Sequence, residues 1–192
     1  MRRHIANGES IVKGIVFTEF LEFAEQKIGA EALEEILEAC ADDLPTGGAY
    51  TAVGTYSCSE LMTLVQAIST HSGAAIPQLV HEFGEMISRS FVALYPQYYT
   101  RFDNLFDFLS HIDDYIHVEV KKIYPDAELP EFRVIERSDD RLVIDYSSPR
   151  GLTHLAAGMF QGSSDYYSEP VRIQHAVEPA ADVTARFELS RV

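Results

Sequence analysis

Tyr146, Ser148 and Arg150 occupy alternate positions of "IDYSSPRGL", residues 144 to 152. In an extended chain such positions share one face. A guanidinium binds a carboxylate or phosphate through two parallel hydrogen bonds, and two hydroxyls beside it can satisfy the remaining lone pairs. The stretch therefore predicts an anion site. In a chain of net charge -15, a local cation would have to supply the attraction. Metal chemistry has its own candidate among seven histidines. His4 lies in a polar lead-in, and His81, His111, His154 and His175 lie among polar residues, where a solvated side chain is expected. His71 is near a helix end, a normal place for a cation. His117 differs, because it follows Asp113 by four residues and flanks a stripe of Phe102, Leu105, Phe106, Leu109, Ile112, Ile116 and Ile123. An imidazole beside apolar surface either packs there or ligates a metal.

The elements that must position these groups are legible in outline. Residues 1–11 are polar and without pattern, which predicts a flexible extension, and a single domain is expected over 12–192. "IVKGIVFTEFLEFAEQKIG" and "EALEEILEACA" have helical spacing, with Gly29 as a stop, and "DDLPTGGAY" breaks the pattern. "SCSELMTLVQAISTHSG" opens with Ser57 three residues before Glu60, a capping-box pattern, and closes on Gly73. "AIPQLVHEFGEMISRSFVALYP" predicts another helix, and a further one is expected from about Phe102 to Ile123. After Pro130 the period changes to two: "EFRVIERS" and "RLVIDYSS" flank Asp139-Asp140 as a hairpin. "RGLTHLAAGMFQGSSDYYS" returns to helical spacing, and "EPVRIQHAV" and "VTARFELSRV" read as two more strands. The fold class is α+β: a helical N-terminal region, then a small antiparallel sheet with a helix between its hairpins.

Bulk properties narrow the function. A pI near 4.7 disfavours nucleic acid and anionic membranes as partners. No apolar run reaches the roughly 20 residues that span a bilayer, and "MRRHIANGES" has no apolar core of a signal peptide behind its basic start. The expected location is the cytoplasm. Cys40 and Cys58 form no metal-ligand pattern, and a reducing compartment disfavours a disulfide between them.

His117 is followed thirteen residues later by Pro130, and twenty-nine residues later by Tyr146 of Tyr-x-Ser-x-Arg. With "KGIVFTEFLEFAEQKIG", "YSCSELMTLVQAISTHSG" and "RGLTHLAAGMFQGSSDYY", this spacing resembles the haem nitric oxide/oxygen binding (H-NOX) family, which includes the sensor module of soluble guanylate cyclases. The resemblance covers nearly the whole chain from Val12 to Val192. It implies haem b as cofactor, His117 as the proximal iron ligand, and Tyr146, Ser148 and Arg150 around the haem propionates. It also implies that Pro130 presses on the macrocycle; on spacing alone, Pro130 is equally a loop proline before a strand. The implied action is a switch: NO weakens the bond between iron and His117, the haem relaxes against Pro130, and the His117 helix and N-terminal region shift. The expected output is a separate polypeptide, in bacterial relatives commonly a histidine kinase or a cyclic-di-GMP enzyme.

Oxygen-binding members of the family use a distal tyrosine nine residues beyond the motif tyrosine, where this chain has Leu155. The second distal polar position falls on Ile87, with Phe91 and Met159 completing the expected pocket. The segment from Tyr98 to His117 is two residues longer than in some relatives, which bears on the positions before His117. Bound dioxygen carries partial negative charge and needs a donor, so these residues predict NO and CO as ligands. Tyr50, Tyr56 and Tyr98 are the remaining candidate donors. Three rival readings follow from the same residues: an oxygen-sensing variant, a haem-free anion-binding module, and a peroxidase-like enzyme. The last lacks a polar acid-base group at the matched distal positions.

Overall fold

The computed structural model describes residues 10–177 and 183–192. The chain divides into two compact units between Leu79 and Val80.

The first unit is helical with a short two-stranded sheet. Strand β1 (Ile11–Lys13) pairs antiparallel with β2 (Thr55–Ser57), Ile11 opposite Ser57. Cys58 N–H also donates to Ser10 O at 2.9 Å. Ser10 and Ile11, assigned by the sequence to the lead-in, are thus hydrogen-bonded, while residues 1–9 lie outside the described residues. Strands of three residues are too short to show alternation, which is why neither was legible. Helix α1 (Gly14–Ile28) begins one residue before Ile15, the first of its apolar positions. Gly14 makes that start possible: a Cβ there would lie 1.9 Å from Thr51 O. Gly29, with φ of 87°, separates α1 from α2 (Ala30–Cys40).

Helix α3 (Cys58–Ser72) has the expected ends. Ser57 accepts from Ser59 N–H, and Gly73 closes it in the left-handed conformation. The reciprocal half of the capping box is overturned, however. Glu60 turns into the loop before β2, accepting from Thr46 N–H at 3.2 Å, Thr46 Oγ1 at 2.6 Å and Tyr50 OH at 3.1 Å. Three converging donors outcompete one cap N–H for a carboxylate that is 3% exposed. Burial pushes the Tyr50 phenol up, and Glu60 adds to it. Glu60→Ala strands all three donors and is expected to cost about 3 kcal/mol, read as a lower urea midpoint at unchanged m.

Helix α4 (Ile76–Leu94) has Pro77 in its first turn and ends before Pro96, which opens α5 (Pro96–Tyr99). The single helix expected from Phe102 to Ile123 is three pieces. Helix α6 (Leu105–Ser110) is capped by Asn104, whose Oδ1 accepts from Asp107 N–H at 2.9 Å. A π-turn follows over Ile112–Ile116, then α7 (His117–Ile123). His111 O accepts from both Tyr115 N–H and Ile116 N–H at 3.2 Å, the widened ring that defines the π-turn. This slips the helical phase. Leu105, Phe106, Leu109 and Ile112 remain buried as the stripe required, but Ile123 emerges 49% exposed.

The second sheet has the order β3-β4-β6-β5, all antiparallel, from β3 (Glu131–Arg137), β4 (Arg141–Ser147), β5 (Val171–Val177) and β6 (Ala185–Arg191). Helix α8 (Thr153–Tyr167) joins the two hairpins, as the sequence predicted. Phe132 pairs with Tyr146 and Tyr146 with Ala185; two residues along, Ile144 pairs with Phe187. Alternation puts these side chains on one face. Phe160 of α8 packs there, its ring 5.7 Å from Phe132 and 5.0 Å from Phe187. Strand β3 has a bulge between Val134 and Glu136, at the exposed Ile135.

Candidate functional site

The residues of the expected haem site, from Ile87 to Met159, all fall in the second unit. His117 is the first residue of α7, directly after the π-turn, and its side chain is 17% exposed. Its Nδ1 lies 2.9 Å from Asp113 Oδ1. Asp113 Oδ2 accepts from Phe132 N–H at 2.8 Å, at the start of β3. The His117 ring packs 5.8 Å from that of Phe132, which in turn lies 5.2 Å from that of Tyr146. Phe132 therefore neighbours both the imidazole and the tyrosine of the motif.

Tyr146 is buried on β4 against Phe132 and Phe187. Beyond it the expected alternation stops, since β4 ends at Ser147 and Pro149 and Arg150 form a turn. Arg150 is thus aimed by a turn rather than by a strand face. Pro149 lacks the N–H that would extend the ladder. Ser148 stabilises the turn: its Oγ accepts from Arg150 N–H at 3.3 Å, its own N–H donates to Thr184 Oγ1 at 3.0 Å, and Gly151 adopts φ of 62°. The Arg150 side chain is 6% exposed, with Nη1 3.9 Å from Glu128 Oε2. Pro130 is half-buried immediately before β3.

The apolar positions come from two helices in backbone contact. A Cβ on Gly84 would lie 2.4 Å from Leu155 O and 2.9 Å from Gly158 Cα, and one on Gly158 would lie 2.0 Å from His81 O. Ile87 and Phe91 follow Gly84 at three and seven residues on α4, and Leu155 and Met159 flank Gly158 on α8. The spacings i, i+3, i+7 on α4 and i, i+3, i+4 on α8 keep each set on one helical face. Ile87 is buried, and Phe91, Leu155 and Met159 are half-buried. Gly158→Ala forces its methyl against backbone that has no rotamer to yield. We expect a loss of about 1–3 kcal/mol, against the 0.5–1 kcal/mol that alanine ordinarily gains in a helix, measured as a lower melting temperature.

Two of the candidate tyrosine donors are engaged elsewhere through their hydroxyls. Tyr50 donates to Glu60, and Tyr56 OH accepts from Thr51 N–H at 2.8 Å. Tyr98 is buried, its ring 5.8 Å from Tyr95 and 6.5 Å from Tyr115. All four histidines read as solvated are half-buried instead, His81 with its Nδ1 3.4 Å from Glu85 Oε1. His111 Nδ1 is 2.8 Å from Asp107 O and its ring stacks on Phe102. His154 and His175 face one another at 5.0 Å, and burial followed by the neighbouring histidines lowers the His175 pKa. His111 is held by neighbours in its own segment, whereas His154 of α8 and His175 of β5 meet only through the fold. Sequence reasoning had named neither Phe132 nor any role for Asp113; the i, i+4 relation of Asp113 to His117 was its one available signal.

A helical unit followed by a four-stranded sheet with one crossing helix is the architecture of haem-dependent gas-sensor domains. An unliganded Fe(II) H-NOX protein from K. algicida is 31% identical with a TM-score of 0.87, covering 94% of this chain and 97% of that one. The Fe(II)CO, IWP-051-bound H-NOX from Shewanella woodyi is 35% identical with a TM-score of 0.79, covering 94% and 95%. An H-NOX protein from S. oneidensis in the Fe(II)NO state is 25% identical with a TM-score of 0.84, covering 94% and 99%. Comparison with curated protein sequences finds no match. The Haem-NO-binding family model matches residues 13–175, and the chain belongs to that family of haem-based gas sensors. Its matches are to sensor domains, not enzymes. Among the described residues, no helix is long and apolar enough to cross a membrane.

Proposed function

We propose that residues 12–192 act as one cytoplasmic sensor domain that holds haem b, binds NO and CO in preference to oxygen, and reports its state to a separate effector. What supports the gas preference is that Ile87, Phe91, Leu155 and Met159, carried by the two helices that meet at Gly84 and Gly158, have no hydroxyl or amide to donate. Haem supplies a ferrous iron that takes NO without a donor, whereas bound oxygen needs one.

The donor set fits that group. His117 would hold the iron, with an imidazole kept from water on one flank by Phe132 and backed on the other by Asp113. Tyr146, Ser148 and Arg150 would hold the propionates, since charge-assisted arginine–carboxylate bonds orient a macrocycle otherwise held by apolar contact. Arg150 is well suited because its guanidinium is withdrawn from solvent, which strengthens any pairing it makes. Pro130 would press on the macrocycle from the segment leading into β3. A signal requires an effector that binds the two states of this domain with different affinity, typically by about 1–3 kcal/mol. A histidine kinase or cyclic-di-GMP enzyme is the expected effector. Cys40 and Cys58, which form no disulfide, accord with the reducing cytoplasm.

The test is the visible spectrum of haem-supplied protein, reduced without air, before and after NO and separately after air. The expected result is a Soret band that moves with NO to the position of a haem that has lost its histidine, and no stable oxygen complex. A stable oxygen complex would overturn the preference for NO. Protein that takes up no haem would return Tyr146, Ser148 and Arg150 to a site for another anion.

A further inference from the structure

Asp113 is adjacent to a second carboxylate, Asp114, yet only Asp113 turns inward. Asp114 is exposed, while Asp113 places one oxygen on each of two neighbouring elements. Oδ2 accepts from Phe132 N–H at 2.8 Å. Oδ1 lies 2.9 Å from His117 Nδ1, but the ring N–H is not aimed along that line, so Oδ1 is buried without a completed hydrogen bond. A buried carboxylate oxygen in that condition is costly, and a turn of the imidazole would complete the bond. Both residues belong to the π-turn and its exit, a widened backbone that recurs at functional sites.

We infer that Asp113 is the positioning residue of the proximal ligand: its carboxylate takes the Nδ1–H of His117 on one oxygen and holds the Phe132 N–H with the other. The inference rests on the reading of His117 as the haem ligand. Nδ1–H donation to Asp113 fixes the tautomer, leaving Nε2 as the nitrogen free to coordinate. A carboxylate acceptor also makes Nε2 a stronger donor to metal. Because the second oxygen is committed to Phe132 N–H, the orientation of His117 is tied to the first residues of β3, two positions after Pro130. Asp113 touches neither metal nor gas, and it acts only through the histidine.

The test uses ferrous, haem-loaded protein and its resonance Raman iron–histidine stretch. Asp113→Asn keeps an acceptor for Phe132 N–H, so an unchanged far-UV circular dichroism spectrum is expected. The stretch should fall to lower frequency, and NO-driven loss of the histidine ligand should become about tenfold faster. Asp113→Glu should return the stretch toward the wild-type value. A stretch and a rate that are the same in wild type and Asp113→Asn would overturn the inference. A second measurement leaves Asp113 intact: His117→Gly is supplied with imidazole or with 1-methylimidazole, which coordinates but has no N–H to give. Imidazole is expected to bind about tenfold more tightly and with the higher iron–nitrogen frequency. Equal binding and equal frequencies would sink the proposal. Wild-type protein that takes up haem without an iron–histidine mode would remove the reading of His117, and the inference with it. A normal mode in wild type that is insensitive to Asp113 would remove the inference alone.

Discussion

His117→Ala is expected to abolish retention of haem through dialysis while leaving a folded apoprotein. Losing an outer partner of a metal ligand typically costs 10–100-fold in affinity, and losing the ligand itself costs more. The loss to the fold is small by comparison. His117 contributes a partly exposed ring packed on Phe132 and one contact to Asp113, so about 1 kcal/mol of stability is at stake. Haem content per chain, read by absorbance after dialysis, and a thermal melt of the apoprotein separate the two effects. Added imidazole should restore haem binding, because it re-supplies the missing nitrogen donor. Haem content equal to that of wild type would mean that the iron is held elsewhere and that His117 merely packs.

Leu155→Tyr is expected to confer a stable oxygen complex on a protein that otherwise forms none. The substitution places a phenol in the first turn of α8, on the face shared with Met159 and beside the crossing with α4. One hydrogen bond to a partially charged acceptor contributes about 1.5–3 kcal/mol, which is about 10–150-fold in the oxygen dissociation constant. NO binding should change far less, since it does not depend on that donor. Leu155 is half-buried, so the larger ring can be admitted at the rim of the apolar wall. Absence of any oxygen spectrum in the variant, with NO binding intact, would mean that residue 155 does not face the gas, and the polarity of other positions would have to explain the preference.

The two substitutions test parts of the site that were legible to different degrees. His117 stood out because an imidazole flanking an apolar stripe is a one-dimensional pattern, and the resemblance to the H-NOX family, through its distance from Tyr-x-Ser-x-Arg, made it the proposed ligand. Helices α1, α3, α4 and α8 were readable for a related reason: caps, prolines and a 3.6-residue period are all local. The two hairpins were legible because alternation and the Asp139–Asp140 turn lie close together in sequence. Three-residue strands leave no such signal, and β1 and β2 were missed although they pair with one another in the first unit.

Some local signals were correct and still led to the wrong partner. Ser57 caps α3 as its sequence demanded, but Glu60 three residues later abandoned the cap for Thr46 and Tyr50. Arg150 was counted on a strand face, but β4 ends at Ser147 and the turn at Pro149 and Arg150 places it instead. In both cases a group distant in sequence, or a backbone without an N–H, outweighed the periodic expectation.

Residue types and spacing alone singled out the side chains that could bind a metal and an anion, and the order of most helices and strands, since periodicity and capping act within a few residues. Long-range packing placed a π-turn before His117, set Asp113 beside this histidine while it accepts from Phe132 N–H nineteen positions on, and let Gly84 and Gly158 bring α4 and α8 into backbone contact. Each depends on surfaces that meet after the chain has folded, and packing of that kind leaves no period in the sequence.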